Sequence, residues 1–309
     1  MDMNKEKNMI KGIKDYWFKV VLFLFLTVFA LVLVSLLIFG LSTSLKSNME
    51  FIDNPAGLPL EFKVKNYLDV LQNFSFYISK NVFVNGDKYI VEAKVSLFPE
   101  LIYNTLMYTV GGAFVTTFCH CIMGYVVAKF DNWKISKFIY SMVIVVMIIP
   151  IFGTTASSIS VARATGIYDN LLGNWIQKFN FTGIYFLIFH SASKMVAKDY
   201  SDAAYVDGAS EWKVFFSIVF PLLANTFGTI MLIKFIEFWN DYSTVLIYLP
   251  THPTLAYGIF KMSTTTVTGL SDAPHRIAGA MLLFVPTTII FVIFNKKLLG
   301  NLTVGGVKE

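Results

Sequence analysis

The feature that most constrains this chain is an apolar run of 23 residues, Phe18 to Gly40, with no charge after Lys19. A helix rises 1.5 Å per residue, so about 20 apolar residues cross the hydrocarbon of a bilayer. Three more runs have comparable character: Leu101 to Ala128, Phe138 to about Ser157, and Arg276 to Phe294. Two others are weaker. Phe181 to Val196 is short and carries Ser191 and Ser193, and Pro221 to Leu249 carries Lys234, Glu237 and Asp241. Charged residues make up only 15% of the chain, against roughly 25% in a soluble domain. The first run follows Lys5, Lys7, Lys11 and Lys14, as a secretion signal would. Its apolar part is too long for one, and no small-x-small cleavage site follows, so it reads as a retained anchor.

Six spans put both termini on one side, and basic residues say which. The segments 1–17, 129–137, 194–220 and 295–309 hold 13 Lys and Arg in 68 positions. The segments 41–100, 156–180 and 249–276 hold 10 in 113. The denser set belongs in the cytoplasm by the positive-inside rule. The expected fold is an all-α integral membrane protein with six transmembrane helices (18–40, 101–128, 138–157, 181–196, 221–249 and 276–294) and cytoplasmic termini. Segment 41–100 is a long external loop. Within it, Asn85-Gly86 between two β-prone runs suits a type I′ turn and predicts a small hairpin over 81–91. A role in packing alone is the preferred reading of that hairpin.

Cys119 and Cys121 sit inside an apolar run. Alternate helical residues point about 200° apart, so these two and His120 cannot close on one metal ion. They are expected to be plain buried residues. His120 and His190 each suit a hydrogen bond to a neighbouring helix better than a proton relay.

The most informative stretch is Lys198-Asp-Tyr-Ser-Asp-Ala-Ala-Tyr-Val-Asp-Gly-Ala-Ser-Glu-Trp-Lys-Val-Phe-Phe-Ser-Ile-Val-Phe-Pro221, between the fourth and fifth spans. Ser201 to Asp207 suits a short helix, Gly208 a turn or close approach, and Ala209 to Val219 an amphipathic helix. Pro221 suits a helix's first turn. This stretch resembles the "EAA" loop of permeases in binding-protein-dependent ABC importers. Asp202, Ala203, Ala204, Gly208, Ile218 and Pro221 fall at matching places, and Asp207-Gly208-Ala209-Ser210 matches a pattern common in the carbohydrate branch. Asp202 replaces the usual Glu, Ala197 an upstream Pro, and Phe220 the Leu before the proline. Asn104-Thr105, Gly124 to Phe130, Gly166 to Leu171 and Trp239-Asn-Asp-Tyr242 also look like that branch. The tail Gly300 to Lys308 resembles that of the smaller permease subunit of maltose importers. The resemblance covers residues 101–309, not 41–100.

It implies that Asp202, Ala203, Ala204, Asp207 and Gly208 seat a short helix in a cleft of an ATPase subunit. The expected partners are ABC ATPase subunits, a second homologous permease (a heterodimer rather than a homodimer), an external substrate-binding protein and lipid, with no nucleic acid. The expected location is the bacterial plasma (inner) membrane. No G-x-x-x-x-G-K-[ST] occurs in the sequence. The chain is therefore expected to bind no cofactor itself, with ATP used by the partner ATPase, and to be a transport subunit rather than an enzyme.

Ionisable groups inside a span are costly and usually face a bundle interior or cavity. Lys234, Glu237 and Asp241 lie on one helical face. Glu237, Trp239, Asn240, Asp241 and Tyr242 form a candidate substrate path, since carboxylates, amides and aromatic faces suit sugar hydroxyls and C–H groups. An internal salt bridge explains the same charges equally well. The expected function is import of a sugar or oligosaccharide. The alternatives are an importer of peptides or other solutes and, from a different class, an ion-coupled carrier using Glu237, Asp241 or His120.

Overall fold

The computed structural model of the chain describes residues 3–84, 87–96, 100–149, 153–264 and 270–302. It divides into two compact units, one of residues 1–70 and 268–282, the other of 71–267 and 283–309.

The first unit is dominated by α1 (Met3–Ser44). From Phe18 to Leu37 its side chains are almost all exposed, a surface that water would penalise and lipid would not. Past its end the chain folds tightly on itself. Helix α2 (Asn48–Asp53) is capped by Ser47, whose hydroxyl accepts from Glu50 N at 3.2 Å. Lys46 is fully buried, and its ammonium donates to the carbonyls of Asn54 (2.7 Å) and Pro55 (3.1 Å). Asn66, on α3 (Lys65–Asn73), donates to the carbonyls of Ser44 (2.9 Å) and Lys46 (2.7 Å). The segment after the first apolar run is thus pinned by side chains that satisfy loop carbonyls.

The second unit opens with β1 (Ser75–Val84) and β2 (Asp87–Ser96), antiparallel with Val84 opposite Asp87. The strands run beyond the 81–91 segment expected from sequence, and the turn residues 85–86 lie outside the described residues. Alternation places Phe76, Ile78 and Val95 on a buried face, where Phe76 meets Tyr257 with ring centroids 5.8 Å apart.

Then come α4 (Ile102–Leu106), a π turn (Met107–Gly111) and α5 (Gly112–Lys129), which together form one helix of 28 residues. The remaining helices are α6 (Lys134–Ile148), α7 (Thr155–Ala164), α8 (Leu171–Gln177), α9 (Ile184–Met195), α10 (Lys198–Val206), α11 (Glu211–Val214), α12 (Phe220–Trp239), α13 (Ser243–Tyr248), α14 (Leu255–Thr264) and α15 (Ala273–Leu302). A second π turn, Phe215–Val219, joins α11 to α12. There Phe220 N–H reaches back to the carbonyl of Phe215, immediately before Pro221. Proline has no N–H and crowds the carbonyl four residues earlier, so an extra residue in the turn relieves it without ending the helix. Pro221 therefore lies within a continuous helix from Glu211 to Trp239, where the sequence suggested a helix start.

Among the described residues, four helical stretches are long and apolar enough to cross a membrane: Tyr16–Ser44, Ile102–Lys129, Glu211–Trp239 and Ala273–Phe294. Helix α6 stops at Ile148, before the Ser157 expected, because Ile149 turns extended (ψ 116°). Helix α9 has only 12 residues. The 221–249 run breaks at Asn240, and α13 begins afresh at Ser243. The core is built from α5, α9 and the α11–α12 helix: Cys121, Phe189, Val214, Phe215, Val219, Leu223, Phe227 and Ile230. Cys119 and Cys121 are buried, unlinked thiols.

Candidate functional site

The α10–α11 loop is shaped by three local devices. Gly208 takes φ +77°, a left-handed conformation that L side chains adopt at a cost. It reverses the chain between the two helices, with Gly208 N–H donating to Tyr205 O at 3.0 Å and Ala209 N–H to Ala204 O at 2.9 Å. Ser210 caps α11 by accepting from Lys213 N. Ala204, Tyr205 and Ala209 pack against the core cluster. Asp202, Ala203, Val206, Asp207 and Gly208 are exposed. Val206 is 88% exposed, an apolar side chain at the tip of a polar turn. Of the five sequence-predicted loop residues, Ala204 alone is not exposed; Ala203, Asp207 and Gly208 face solvent, while Asp202 is exposed at the edge of a cavity between α10 and α5.

The loop is tied to α5 by Lys129. Its ammonium donates to the Tyr205 hydroxyl and to Glu211 Oε2. Tyr205 Oη donates to the same carboxylate oxygen at 2.8 Å.

A second polar region lies between α5, α9 and α12. A cavity of about 430 Å³ is lined by Thr116, His120, Gln177, Lys178, Tyr185 and Lys234, among others. Beside it, Lys178 donates to Tyr108 Oη (3.1 Å), which donates to Asp241 Oδ2 (2.6 Å). The Lys178 ammonium also sits 3.6 Å from the Phe238 ring centroid, a cation–π contact. Lys234 pairs with Glu237 at 2.7 Å.

The five candidate path residues are not brought to one surface. Trp239 is buried and donates Nε1–H to Leu283 O at 3.0 Å. Asn240 donates to Ile236 O at 2.8 Å and closes the end of α12. Asp241 accepts from Thr244 N (3.0 Å), at the start of α13, as well as from Tyr108. Tyr242 stacks on Phe260, centroids 4.5 Å apart. Glu237 is engaged with Lys234. Among the described residues, the cavity is lined by Lys234 and Phe238 of α12 and by none of these five. Lys178, Gln177 and Tyr185 were not singled out from sequence. Lys178 is marked by its hydrogen bond to Tyr108 and its contact with the Phe238 ring, which are visible only once the chain is folded.

Asp169 holds two further segments together. It has φ 57°, its N–H donates to Tyr248 O at 2.9 Å, and its carboxylate accepts from Thr251 N (3.0 Å) and Thr251 Oγ1 (2.8 Å). Burial pushes this carboxyl's pKa up, but hydrogen bonds from His252 and Thr251 outweigh it and hold the pKa below the ordinary aspartate value.

Several helices of membrane-crossing length, two of which (Ile102–Lys129 and Glu211–Trp239) line a polar cavity, define a multi-pass membrane protein. Residues 121–298 match the family described as binding-protein-dependent transport system inner membrane component, and the chain belongs to that family. It is 25% identical over 265 residues to AraQ, the arabinooligosaccharides transport system permease protein of Bacillus subtilis (strain 168), covering 86% of this chain and 87% of AraQ. It is 25% identical over 215 residues to LacG, the lactose transport system permease protein of Rhizobium radiobacter, covering 68% and 76%. A crystal structure of a bacterial ABC transporter involved in the import of the acidic polysaccharide alginate contains a chain of the same fold. The TM-score is 0.71 at 20% identity, over 92% of this chain and 97% of that one. The protein is accordingly a permease of the plasma membrane. The tail over 303–309, part of the resemblance noted from sequence, lies outside the described residues.

Proposed function

We propose that this chain is the permease subunit of an ATP-driven importer that takes a sugar or oligosaccharide from an external binding protein into the cell. The carbohydrate assignment is supported by the systems that AraQ and LacG are named for. The chain has six spans with both ends in the cytoplasm, supported by the density of basic residues in 1–17, 129–137, 194–220 and 295–309. Spans three and four use the shorter helices α6 and α9, and residues 101–309 form the permease core. The chain binds no cofactor and catalyses no covalent chemistry; a separate ATPase subunit hydrolyses ATP. A second, different permease completes the transmembrane pair.

The observation that carries this reading is the α10–α11 loop. It exposes Ala203, Val206 and Asp207 to solvent, with Asp202 exposed at the rim of the neighbouring cavity, on a short helix whose reversal depends on Gly208. Small side chains let a helix enter a cleft, and carboxylates there suit basic residues of the ATPase. A Cβ at Gly208 would meet nothing within 4 Å, so the cost of adding one is that of the backbone conformation. That cost is about 1–2 kcal/mol for an ordinary L residue and is least for Asn. The test is affinity purification of the tagged chain from membranes as wild type, Gly208→Asn and Gly208→Val. An ATPase recovered with wild type and Gly208→Asn and depleted with Gly208→Val is the expected result. No ATPase with wild type, under conditions that preserve membrane complexes, overturns the importer reading.

A further inference from the structure

We propose that Lys129 is the joint through which movement of the α10–α11 loop reaches α5, an inference that rests on the loop being the ATPase-docking element. The loop is lightly attached. None of the residues of α10 is buried. Behind α10 lies a cavity of about 350 Å³, bordered by Tyr125, Lys129, Asp131, Lys194, Lys198 and Asp202. A helix held off its support by a cavity has little broad packing to push through, so force passes through its chain connection to the Glu211–Trp239 helix and the few other points where it is fastened. Ala204, Tyr205 and Ala209 rest on the core cluster. Lys129 supplies the polar fastening.

Its geometry suits the task. Lys129 sits in the last turn of α5 and its side chain is 18% exposed. One ammonium holds a residue from each side of the Gly208 turn, Tyr205 from α10 and Glu211 from α11. The three groups close a triangle, because Tyr205 Oη also donates to Glu211. The ammonium further lies 4.8 Å from the Tyr205 ring centroid and 5.3 Å from that of Phe130. Charge-assisted bonds are shorter and stronger than neutral ones; here the ammonium is largely shielded while the Glu211 carboxylate is 61% exposed. From this joint α5 runs as one helix to Thr116 and His120, which line the polar cavity between α5, α9 and α12. A shift of the loop that pulls on Lys129 therefore moves the wall of that cavity. The ion pair with Glu211 alone would make a local cap; the bridge across both arms makes the turn move as one body with the end of α5.

The experiment uses the whole transporter, purified with its ATPase, and a reporter thiol at Thr116→Cys in the cavity wall. The probe is a fluorescent maleimide, and the readout is its reaction rate with and without ATP, Mg²⁺ and vanadate, measured beside ATP hydrolysis. With Lys129 present, trapping ATP is expected to change the labelling rate by about fivefold or more, the lower end of typical coupling between sites. In Lys129→Met the ATPase is expected to co-purify and to hydrolyse ATP at close to the normal rate, while the labelling rate no longer responds to ATP. Lys129→Arg, which keeps the charge, is expected to restore the response. A full labelling response in Lys129→Met overturns the joint. So does a loss of hydrolysis and response together, in proportion to a loss of assembled complex, since that marks a merely structural lysine. If no ATPase accompanies even the wild-type chain, the docking reading itself fails, and the joint with it.

Discussion

At the scale of single residues, the side chains that set geometry are those that satisfy or reverse the backbone. Asp169 does both. It is a non-glycine residue at positive φ, which aspartate tolerates better than most, and its carboxylate gathers Thr251. Its pKa is held below the ordinary value, so the folded state favours the charged form. An unfolded aspartate titrates near 3.9. The stability contributed by Asp169 is therefore complete above about pH 4 and is lost as pH falls through its lower folded pKa. Asp169→Asn keeps the backbone tolerance and loses the charge, so it should lower the melting temperature of the purified protein at pH 7. It should also flatten the decline of stability between about pH 4 and the lower folded pKa. The expected loss at neutral pH is about 1.5–3 kcal/mol, that of a hydrogen bond to a charged group. Thermal melts of wild type and variant across pH 3–7 read both effects, and parallel acid limbs would remove Asp169 from the account. Gly208 was legible in the sequence because a turn between two helical patterns asks for it. The partners of Trp239 and Asp241 were not. The sequence places polar and aromatic residues together, but whether each faces a cavity or a carbonyl depends on packing against Leu283 and Tyr108, far away along the chain.

At the scale of elements, the apolar runs announced helices, while their ends and breaks were set by features that periodicity does not register. The chain turns extended at Ile149, α12 ends where Asn240 binds its own last turn, and Pro221 is absorbed by a π turn. Hydropathy counts residues and is blind to a single backbone group. It is equally blind to how closely two helices approach. A Cβ on Gly124 of α5 would lie 2.6 Å from Phe189 Cβ and 2.8 Å from His190 N on α9, so the helices touch backbone to backbone there. Gly228 of α12 has nothing within 4 Å. Gly124→Ala should thus force α5 and α9 apart and destabilise the protein by about 1–3 kcal/mol, as overpacking does. Gly228→Ala should be neutral or stabilising by up to about 1 kcal/mol, because alanine is the better helix former. Thermal denaturation in detergent compares the two. Equal effects would mean that helix propensity, and not the α5–α9 contact, governs both sites.

At the scale of the whole molecule, the proposed importer would have this chain present one surface to an ATPase inside the cell and another to a binding protein outside. The charge distribution gives a definite assignment, and it can be tested with labels inside one compact unit. Ile90, on β2, is 73% exposed and belongs to a proposed external segment; Trp133, between α5 and α6, is 59% exposed and belongs to a proposed cytoplasmic one. Cys119 and Cys121 are 2% and 0% exposed, so native thiols should contribute little background. In protoplasts or spheroplasts, a membrane-impermeant maleimide should label Ile90→Cys directly. It should label Trp133→Cys only after the membrane is opened. The opposite pattern would invert the chain and place the α10–α11 loop, which shares a side with Trp133 by the same charge argument, where no ATP is available. Labelling of both in sealed cells would break the span between them, Ile102–Lys129, on which the α5 joint and the cavity wall both depend. Orientation is thus not a detail appended to the mechanism. Lys129 can carry motion from an ATPase only if the end of α5 that holds it lies in the cytoplasm, and the Trp133 label, four residues on, reads the position of that end.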